Sequence, residues 1–217
     1  MARISGPTVE EPWPAVTAAD RRRLLAGLLR EVSRTFYLTL RVLPSSLREP
    51  VGLAYLLARA ADTVADTRLI SPGDRLGHLL GFRDQVKGPA RLEDLRRLEQ
   101  ALTEMQSSPA ERELLTRLPS AFSMLEASPE PDRALVRSVV VALTRGMETD
   151  LTTFPAEDSG RIAALADDAA LDRYTYDVAG CVGESGPRSL WPTFRRSRPG
   201  TARGWPGPAC HSARRSS

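Results

Sequence analysis

The chain has 217 residues, with 41% hydrophobic and 26% charged side chains, which is the composition of one soluble globular domain or at most two small ones. The formal net charge is +3, but residues 186–217 hold seven arginines and no acid. The rest of the chain is therefore net negative and offers no basic face for a nucleic acid. No stretch approaches the roughly 18 consecutive apolar residues of a membrane span.

The cysteines and the N-terminal segment favour a cytoplasmic protein without structural zinc. The two cysteines, Cys181 and Cys210, have neither the number nor the spacing of a disulfide framework or a zinc site, even together with His78 and His211. Residues 1–17 contain three prolines and two acids, in place of the basic start and apolar core of a secretory signal. We expect this segment to be flexible.

The body of the chain is predicted to be a series of α-helices. Between residues 20 and 184, apolar side chains recur at intervals of three and four, and no run alternates with period two for long. Ser-Pro pairs at Ser71, Ser108 and Ser128 are typical of a capping residue before a first-turn proline, and Ser108 has Glu111 at capping-box spacing. The predicted fold is an all-α, multi-helix bundle. Its helices are expected at about 18–32, 34–43, 50–67, 72–86, 90–105, 109–126, 131–153 and 159–184.

Residues 186–217 differ from the body in composition. They contain five prolines, four glycines and two of the three tryptophans, and they show no helical period. Such a segment cannot bury enough apolar surface to offset its ordering entropy, so we expect it to be a disordered basic tail. Two interpretations remain open. One is an arm that binds nucleic acid or an acidic partner, and the favoured one is an out-of-frame translation of a GC-rich gene.

A row of polar side chains lies along the segment that follows Pro50. Tyr55, Arg59, Asp62 and Asp66 fall within roughly 60° of arc on a helix that turns about 100° per residue. An ordinary amphipathic helix with this row facing water is one interpretation. The segment has no lysine or glutamate, however, and alanines flank the row. Two carboxylates one turn apart repel each other on an exposed helix, whereas Mg²⁺ is typically held by one or two carboxylates together with substrate phosphates.

Three segments of the chain carry a family resemblance. They are SRTFYLTLRVLP at Ser33–Pro44, LREPVGLAYLLARAADTVAD at Leu47–Asp66 and YTYDVAGCVGE at Tyr174–Glu184. They resemble the squalene/phytoene synthase family, whose members join two prenyl diphosphates head to head, and YLLARAADT is closer to the squalene-synthase branch. The resemblance implies a partial isoprenoid-synthase-type helical domain at 18–185, incomplete at its C-terminal side.

The resemblance also implies roles for individual residues. Asp62 and Asp66 would act in catalysis by holding Mg²⁺ against the substrate diphosphate, and Tyr174 would take part in ionisation or proton handling at the first condensation step. The residues that would line the diphosphate pocket are Ser33, Arg34, Tyr55 and Arg59. Those that would let the prenyl chains approach the backbone are Val178, Ala179, Gly180 and Gly183.

Several of these residues also have a plainer structural explanation. Ser33 has the character of a helix cap. Phe36 is equally suited to the core and to the wall of a prenyl-binding tunnel. The VAGCVG segment that begins at Val178 has the small residues of a close helix–helix packing site. Both explanations stay open at each position.

The implied activity is a prenyl transfer of the farnesyl-diphosphate farnesyltransferase type. Mg²⁺ and basic groups would stabilise the departing diphosphate, leaving an allylic cation in a dry apolar tunnel that the second prenyl double bond attacks. Farnesyl and geranylgeranyl diphosphate both remain candidate substrates, and squalene and phytoene both remain candidate products. Squalene formation would add NADPH as the hydride donor. A lipid product implies peripheral contact with the membrane for a protein without a transmembrane segment.

The family pattern continues past Glu184 into a second aspartate-rich helix, whereas no acid follows that residue here. We therefore expect a truncated or frameshifted chain that is poorly soluble and weakly active or inactive, because the metal cluster would lack its opposing wall. Two other functions compete with that of an enzyme. One is a non-catalytic helical scaffold that binds prenyl diphosphate or a full-length paralogue. The weaker one is an RNA-associated protein that acts through the arginine-rich tail.

Overall fold

The computed structural model describes residues 13–154 and 160–183. Every regular element within those two ranges is helical, which confirms the all-α prediction. The first twelve residues of the predicted flexible segment and the predicted tail at 186–217 lie outside the described residues. None of the helices in the described ranges has both the length and the apolar character needed to cross a bilayer.

Most of the helices follow one another with short connections, and a longer segment separates the last two. The first are α1 (Ala18–Arg22) and α2 (Leu29–Val32), which are joined by the π-helical stretch Arg23–Leu28. After them come α3 (Arg34–Val42), α4 (Ser45–Asp66), α5 (Pro72–Lys87), α6 (Leu92–Leu102), α7 (Pro109–Thr116), α8 (Leu118–Ala127), α9 (Glu130–Thr153) and α10 (Asp168–Thr175). A 3-10 turn, Thr103–Met105, follows α6, and a π-helical stretch, Tyr176–Gly180, continues α10.

Side-chain caps explain where several helices begin. Ser71 and Ser108 each accept a hydrogen bond from the backbone N–H three residues further on, which confirms two of the three predicted Ser-Pro starts. The third is wrong. The Ser128 hydroxyl donates to the carbonyl of Met124 at 2.8 Å, and Pro129 occupies the N-cap of α9.

Helix α4 is longer than predicted. It begins at Ser45, so that Pro50, where the predicted helix starts, lies buried inside the helix. The Arg48 guanidinium donates to the carbonyls of Leu43 at 2.9 Å and Arg41 at 3.0 Å. These bonds satisfy carbonyls at the end of α3 and tie them to the first turns of α4, which holds the additional turn in place.

The single helix predicted at 109–126 is two helices, α7 and α8. The backbone of Arg117 leaves helical geometry at φ −94° and ψ 6°. Pro119 then falls in the first turn of α8, where the missing N–H of a proline has no helical partner to lose. Leu115 and Leu118 are buried on either side of the break, which is why the apolar period gave no sign of it.

The helix predicted at 159–184 begins only with α10. Asp167 caps α10 by accepting a hydrogen bond from the Ala170 N–H at 2.7 Å. The described residues ahead of this cap are not helical, and Ile162 among them is fully exposed. Without a packed apolar face, helix propensity alone does not sustain a helix of this length.

The core is built around α4, which packs against α5, α7, α8 and α9. The fully buried side chains of α4 are Leu53, Leu56, Leu57, Ala60, Ala61 and Val64. Helix α9 lies along both α4 and α5 and buries Val136 and Val140, while Phe82 of α5 meets Phe122 of α8 edge to face at 5.9 Å. The polar row of α4 lies on its remaining side, where side chains are half-buried or exposed.

Helix α7 is tied to the N-terminal helices by an ion-pair cluster around Glu113. The Glu113 carboxylate accepts hydrogen bonds from Nε of Arg23 and Nε of Arg117, both at 2.7 Å. Arg23 also donates to Glu31 at 2.7 Å. The hydrogen bond from Arg23, followed by the one from Arg117, lowers the pKa of Glu113 to about 2.

We predict that the contribution of Glu113 to stability disappears as the pH falls from about 4.5 to about 2. The pKa of Glu113 in the folded state lies below its ordinary value, so the unfolded chain takes up the proton first as the pH falls. The ion pairs therefore stabilise the fold fully only above the ordinary pKa of about 4.5. At pH 7, Glu113→Gln should lower the free energy of unfolding by about 1 kcal/mol or less. Chemical denaturation across this pH range measures the effect, and an equal loss at pH 7 and pH 2 would contradict the prediction.

Candidate active site

An apolar cavity of about 230 Å³ lies between α3, α4 and α9. Its walls include Phe36 of α3 and Leu43 just after it, Leu47, Val51, Ala54, Tyr55 and Ala58 of α4, Val136, Val139 and Leu143 of α9, and Val182 after α10. Ala54 and Ala58 leave open the space that larger side chains would fill. Apolar walls of this kind suit an apolar ligand.

Two stacked aromatic rings form one wall of this cavity. The ring centroids of Phe36 and Tyr55 are 3.9 Å apart, with 16° between the ring planes. Ser33 at the N-cap of α3 accepts a hydrogen bond from the Phe36 N–H at 3.3 Å, which fixes the start of the helix that carries Phe36. Phe36 both packs against the core and lines the cavity. The neighbouring Arg34 is exposed.

The polar row of α4 continues from Tyr55 along the same helix. One terminal nitrogen of the Arg59 guanidinium donates to Asp62, and the other donates to Glu111 Oε1 at 2.6 Å. The side chains of Arg59 and Asp62 are 33% and 38% exposed, and Asp66 is exposed. The row therefore runs from the apolar cavity, through a half-buried ion pair, to solvent.

Glu111 is a residue of this site that sequence reasoning missed. Together with Arg59 and Asp66 it lines a second, polar pocket of about 340 Å³. The sequence predicted Glu111 only as one half of a capping box. Ser108 does accept from the Glu111 N–H at 3.4 Å, but the Glu111 carboxylate turns to Arg59. No periodicity connects positions 59 and 111, so the pattern of the sequence could not indicate this contact.

Asp62 is the member of the row whose ionised form is disfavoured by its surroundings. Burial, and after it the carboxylates of Asp66 and Glu111, raise the pKa of Asp62 above its ordinary value, although Arg59 opposes them. A divalent cation beside Asp62 and Asp66 would relieve this repulsion. No group of three or more Asp, Glu, His or Cys side chains within the described ranges forms a ready metal site. Asp62 and Asp66 therefore offer a pair of carboxylates and not a complete coordination shell.

Tyr174, the predicted catalytic phenol, packs against α9. Its hydroxyl donates to Asp150 Oδ1 at 2.7 Å, and its ring meets Phe154 edge to face at 5.9 Å. The hydrogen bond to Asp150, and then burial, raise the pKa of the phenol, so it is protonated at neutral pH. Tyr174 is not among the residues that line the apolar cavity.

The segment 178–183 approaches α9 closely because α9 has a glycine there. A Cβ atom at Gly146 would lie 2.6 Å from Cγ1 of Val178. For Gly180 the nearest atoms belong to its own helix, and nothing lies within 4 Å of where a Cβ of Gly183 would be. Close packing therefore occurs at Val178, and the glycine that permits it is one that sequence reasoning did not identify.

Comparisons with known proteins agree on one family. The squalene/phytoene synthase family model matches residues 29–188. The squalene synthase BSS of Botryococcus braunii is 37% identical over 59 residues, which is 27% of this chain and 13% of that protein. Two ligand complexes of TcSQS superpose with TM-scores of 0.58 and 0.59 at 23% identity, over 81% of this chain and 45% and 46% of theirs. At that identity the likeness shows the fold, and the chain spans less than half of these solved relatives.

We predict that Gly146 and Val178 are energetically coupled. Gly146→Ala adds a methyl group that collides with Val178, which offsets the roughly 1 kcal/mol that alanine gains over glycine inside a helix. In a Val178→Ala background the same substitution should be stabilising. A double-mutant cycle from chemical denaturation is expected to give a coupling energy of about 1 kcal/mol or more.

Gly81 of α5 provides the control for this cycle, because nothing lies within 4 Å of where its Cβ would be. Gly81→Ala should stabilise the protein by the same amount in the wild-type background and in the Val178→Ala background. Additive effects of Gly146→Ala and Val178→Ala would show that the contact carries no energy.

Proposed function

The chain belongs to the squalene/phytoene synthase family, and we propose that it carries the part of a head-to-head prenyl transferase that binds a prenyl diphosphate. The reaction class is condensation of two prenyl diphosphates with loss of diphosphate. Farnesyl diphosphate is the proposed substrate, because the YLLARAADT segment resembles the squalene-synthase branch and the curated relative is a squalene synthase.

The observation that carries this proposal is the division of α4 into an apolar and a charged part on one face. Tyr55 lines the apolar cavity, and Arg59 one turn further on begins the ion-paired row. A prenyl diphosphate has the same two parts, an apolar chain and a highly charged head. Since one turn of helix advances about 6 Å over four residues, both parts of a single ligand can contact α4 at once.

The two aspartates fit a magnesium ion. Mg²⁺ takes oxygen ligands and usually receives one or two carboxylates from the protein, with the rest of its coordination from water and substrate phosphates. Asp62 and Asp66 supply such a pair. Burial and, after it, repulsion from Asp66 raise the pKa of Asp62, and a cation would offset the repulsion. Bound there, Mg²⁺ would supply positive charge against the leaving diphosphate.

The other residues of the site have roles that do not depend on a metal. The Arg59 guanidinium donates to oxygen acceptors in a planar fork suited to phosphate, and its Nε is buried without a hydrogen-bond partner, so one donor is unused. The stacked rings of Phe36 and Tyr55 form an apolar wall that excludes water from the chain end of the ligand. Tyr174 retains its proton and remains a candidate proton donor held by Asp150.

We predict that the chain binds inorganic pyrophosphate in the presence of Mg²⁺ and not in EDTA. Asp62→Asn and Asp66→Asn should each weaken this binding by about tenfold or more, because each removes a charged ligand of the cation. Asp84→Asn is the matched control, since Asp84 is an exposed aspartate of α5 that pairs with Lys87. Isothermal titration calorimetry gives the affinities. Metal-independent binding, or an equal loss in the control, would refute the magnesium site.

We also predict that filling the apolar cavity weakens binding of the prenyl part of the ligand without affecting binding of its diphosphate. Ala54→Leu places a larger side chain in the cavity and should weaken the binding of farnesyl diphosphate by about tenfold or more. Each methylene of the prenyl chain that is kept out of the cavity costs about 0.8 kcal/mol of binding free energy. Pyrophosphate affinity should not change. Ala127→Leu, at an exposed position of α8, is the control. Equal weakening of both ligands by Ala54→Leu would mean that the cavity does not hold the prenyl chain.

A non-catalytic prenyl-diphosphate-binding scaffold is the second candidate function. It is favoured by the absence, within the described ranges, of any group of three or more potential metal-binding side chains. The two candidates differ in product formation from farnesyl diphosphate and Mg²⁺. Turnover that is lost in Asp62→Asn supports the transferase, and Mg²⁺-dependent binding without turnover supports the scaffold.

A further inference from the structure

Arg59 is held by two carboxylates that come from different helices. Asp62 lies three residues further along α4, whereas Glu111 reaches across from α7 to the other terminal nitrogen at 2.6 Å. Only 33% of the Arg59 side chain is exposed. A guanidinium at that depth needs anionic partners, because the loss of its hydration is otherwise uncompensated.

The two partners of Arg59 differ in what else they are required to do. Asp62 is one of the two carboxylates proposed to hold Mg²⁺, so its oxygens are shared between the guanidinium and a cation. Glu111 is not one of the carboxylates proposed to bind the cation. When Asp62 is engaged elsewhere, Glu111 is the carboxylate that still determines where the Arg59 guanidinium lies.

Glu111 is well placed for this because its backbone is fixed. Its N–H donates to Ser108 at the N-cap of α7, and the next turn of α7 buries Leu114 and Leu115 in the core. Helix α7 packs directly against α4. The Glu111 side chain itself is only 22% exposed, so its carboxylate approaches Arg59 from a rigid support.

We infer that Glu111 is a positioning residue, which holds the Arg59 guanidinium in the orientation that receives the substrate diphosphate. The inference rests on the proposed function, because it assigns Arg59 to the diphosphate. Glu111 acts through Arg59 and does not itself contact the ligand, since two anions would repel each other. Two other roles make different predictions. If Glu111 merely competes with the diphosphate, its removal would strengthen diphosphate binding. If it only ties α7 to α4, its removal would lower stability and leave diphosphate binding unchanged.

Four variants of the full 217-residue chain separate these roles by calorimetric titration of inorganic pyrophosphate with and without Mg²⁺. Glu111→Gln keeps the length of the side chain and an acceptor oxygen but removes the charge. Glu111→Asp keeps the charge but shortens the reach to Arg59. Glu111→Ala removes both. Glu113→Ala is the matched control, because it deletes an ion pair of the same helix that points to Arg23 and Arg117.

If Glu111 positions Arg59, pyrophosphate in Mg²⁺ should bind about tenfold more weakly to Glu111→Ala and Glu111→Asp, the loss expected for a hydrogen bond to a charged group. Glu111→Gln should stay within about threefold of the wild type, because its amide oxygen still accepts from Arg59. Glu113→Ala should bind as the wild type does. Thermal unfolding of all four variants reports their stability separately.

Three results would overturn the inference. Tighter binding by Glu111→Gln and Glu111→Ala together would show that Glu111 competes with the diphosphate. Unchanged affinity in Glu111→Asp, with a lower melting temperature, would show a purely structural tie. Absence of Mg²⁺-dependent pyrophosphate binding in the wild type would overturn the proposed function itself, and the role of Glu111 would fall with it. This last result is distinguishable because it requires no variant.

Discussion

The candidate site depends on how the bundle accommodates one half-buried guanidinium. Arg59 sits on a helix whose other sides are filled with fully buried leucine and alanine, and burial of its charge is tolerable only next to carboxylates. Asp62 and Glu111 meet that requirement, but they bring negative charge close to Asp66. The pKa of Asp62 is raised as a result of burial and of these neighbours. Satisfying the arginine thus produces the local excess of acid that suits a cation.

The apolar part of the site has a parallel cost. Ala54 and Ala58 face the cavity of about 230 Å³, where leucines at the same positions would complete the core. Unfilled apolar space lowers stability, since the lining atoms lose dispersion contacts. The stack of Phe36 on Tyr55 at 3.9 Å recovers part of that contact and keeps the wall firm. The cavity therefore persists because α4 has small side chains at Ala54 and Ala58, and because its Tyr55 stacks on Phe36 of α3.

Sequence periodicity predicted most of the fold, and the geometry of one helix placed Arg59, Asp62 and Asp66 on one face. What it missed depends on contacts between helices. Glu111 is distant from Arg59 in sequence, and Gly146 has meaning only because Val178 packs on it. The late start of α10 was missed for a similar reason, because periodic apolar residues ahead of it are not matched by a packing partner. Local rules find helix faces, and the residues that complete a site from another helix require the fold.

Two departures from ordinary stability rules therefore coincide on one face of α4. Taken by itself, the half-buried Asp62 beside the exposed Asp66 is explained as part of a structural ion pair with Arg59. Taken by itself, the apolar cavity is explained as imperfect packing. One carboxylate would be enough to pair with Arg59, however. Imperfect packing also does not explain why the cavity lies one helical turn from that ion pair. Natural proteins concentrate such departures where a ligand offsets them. A molecule with an anionic, metal-binding head and an apolar tail offsets both at once, and a prenyl diphosphate has that chemistry.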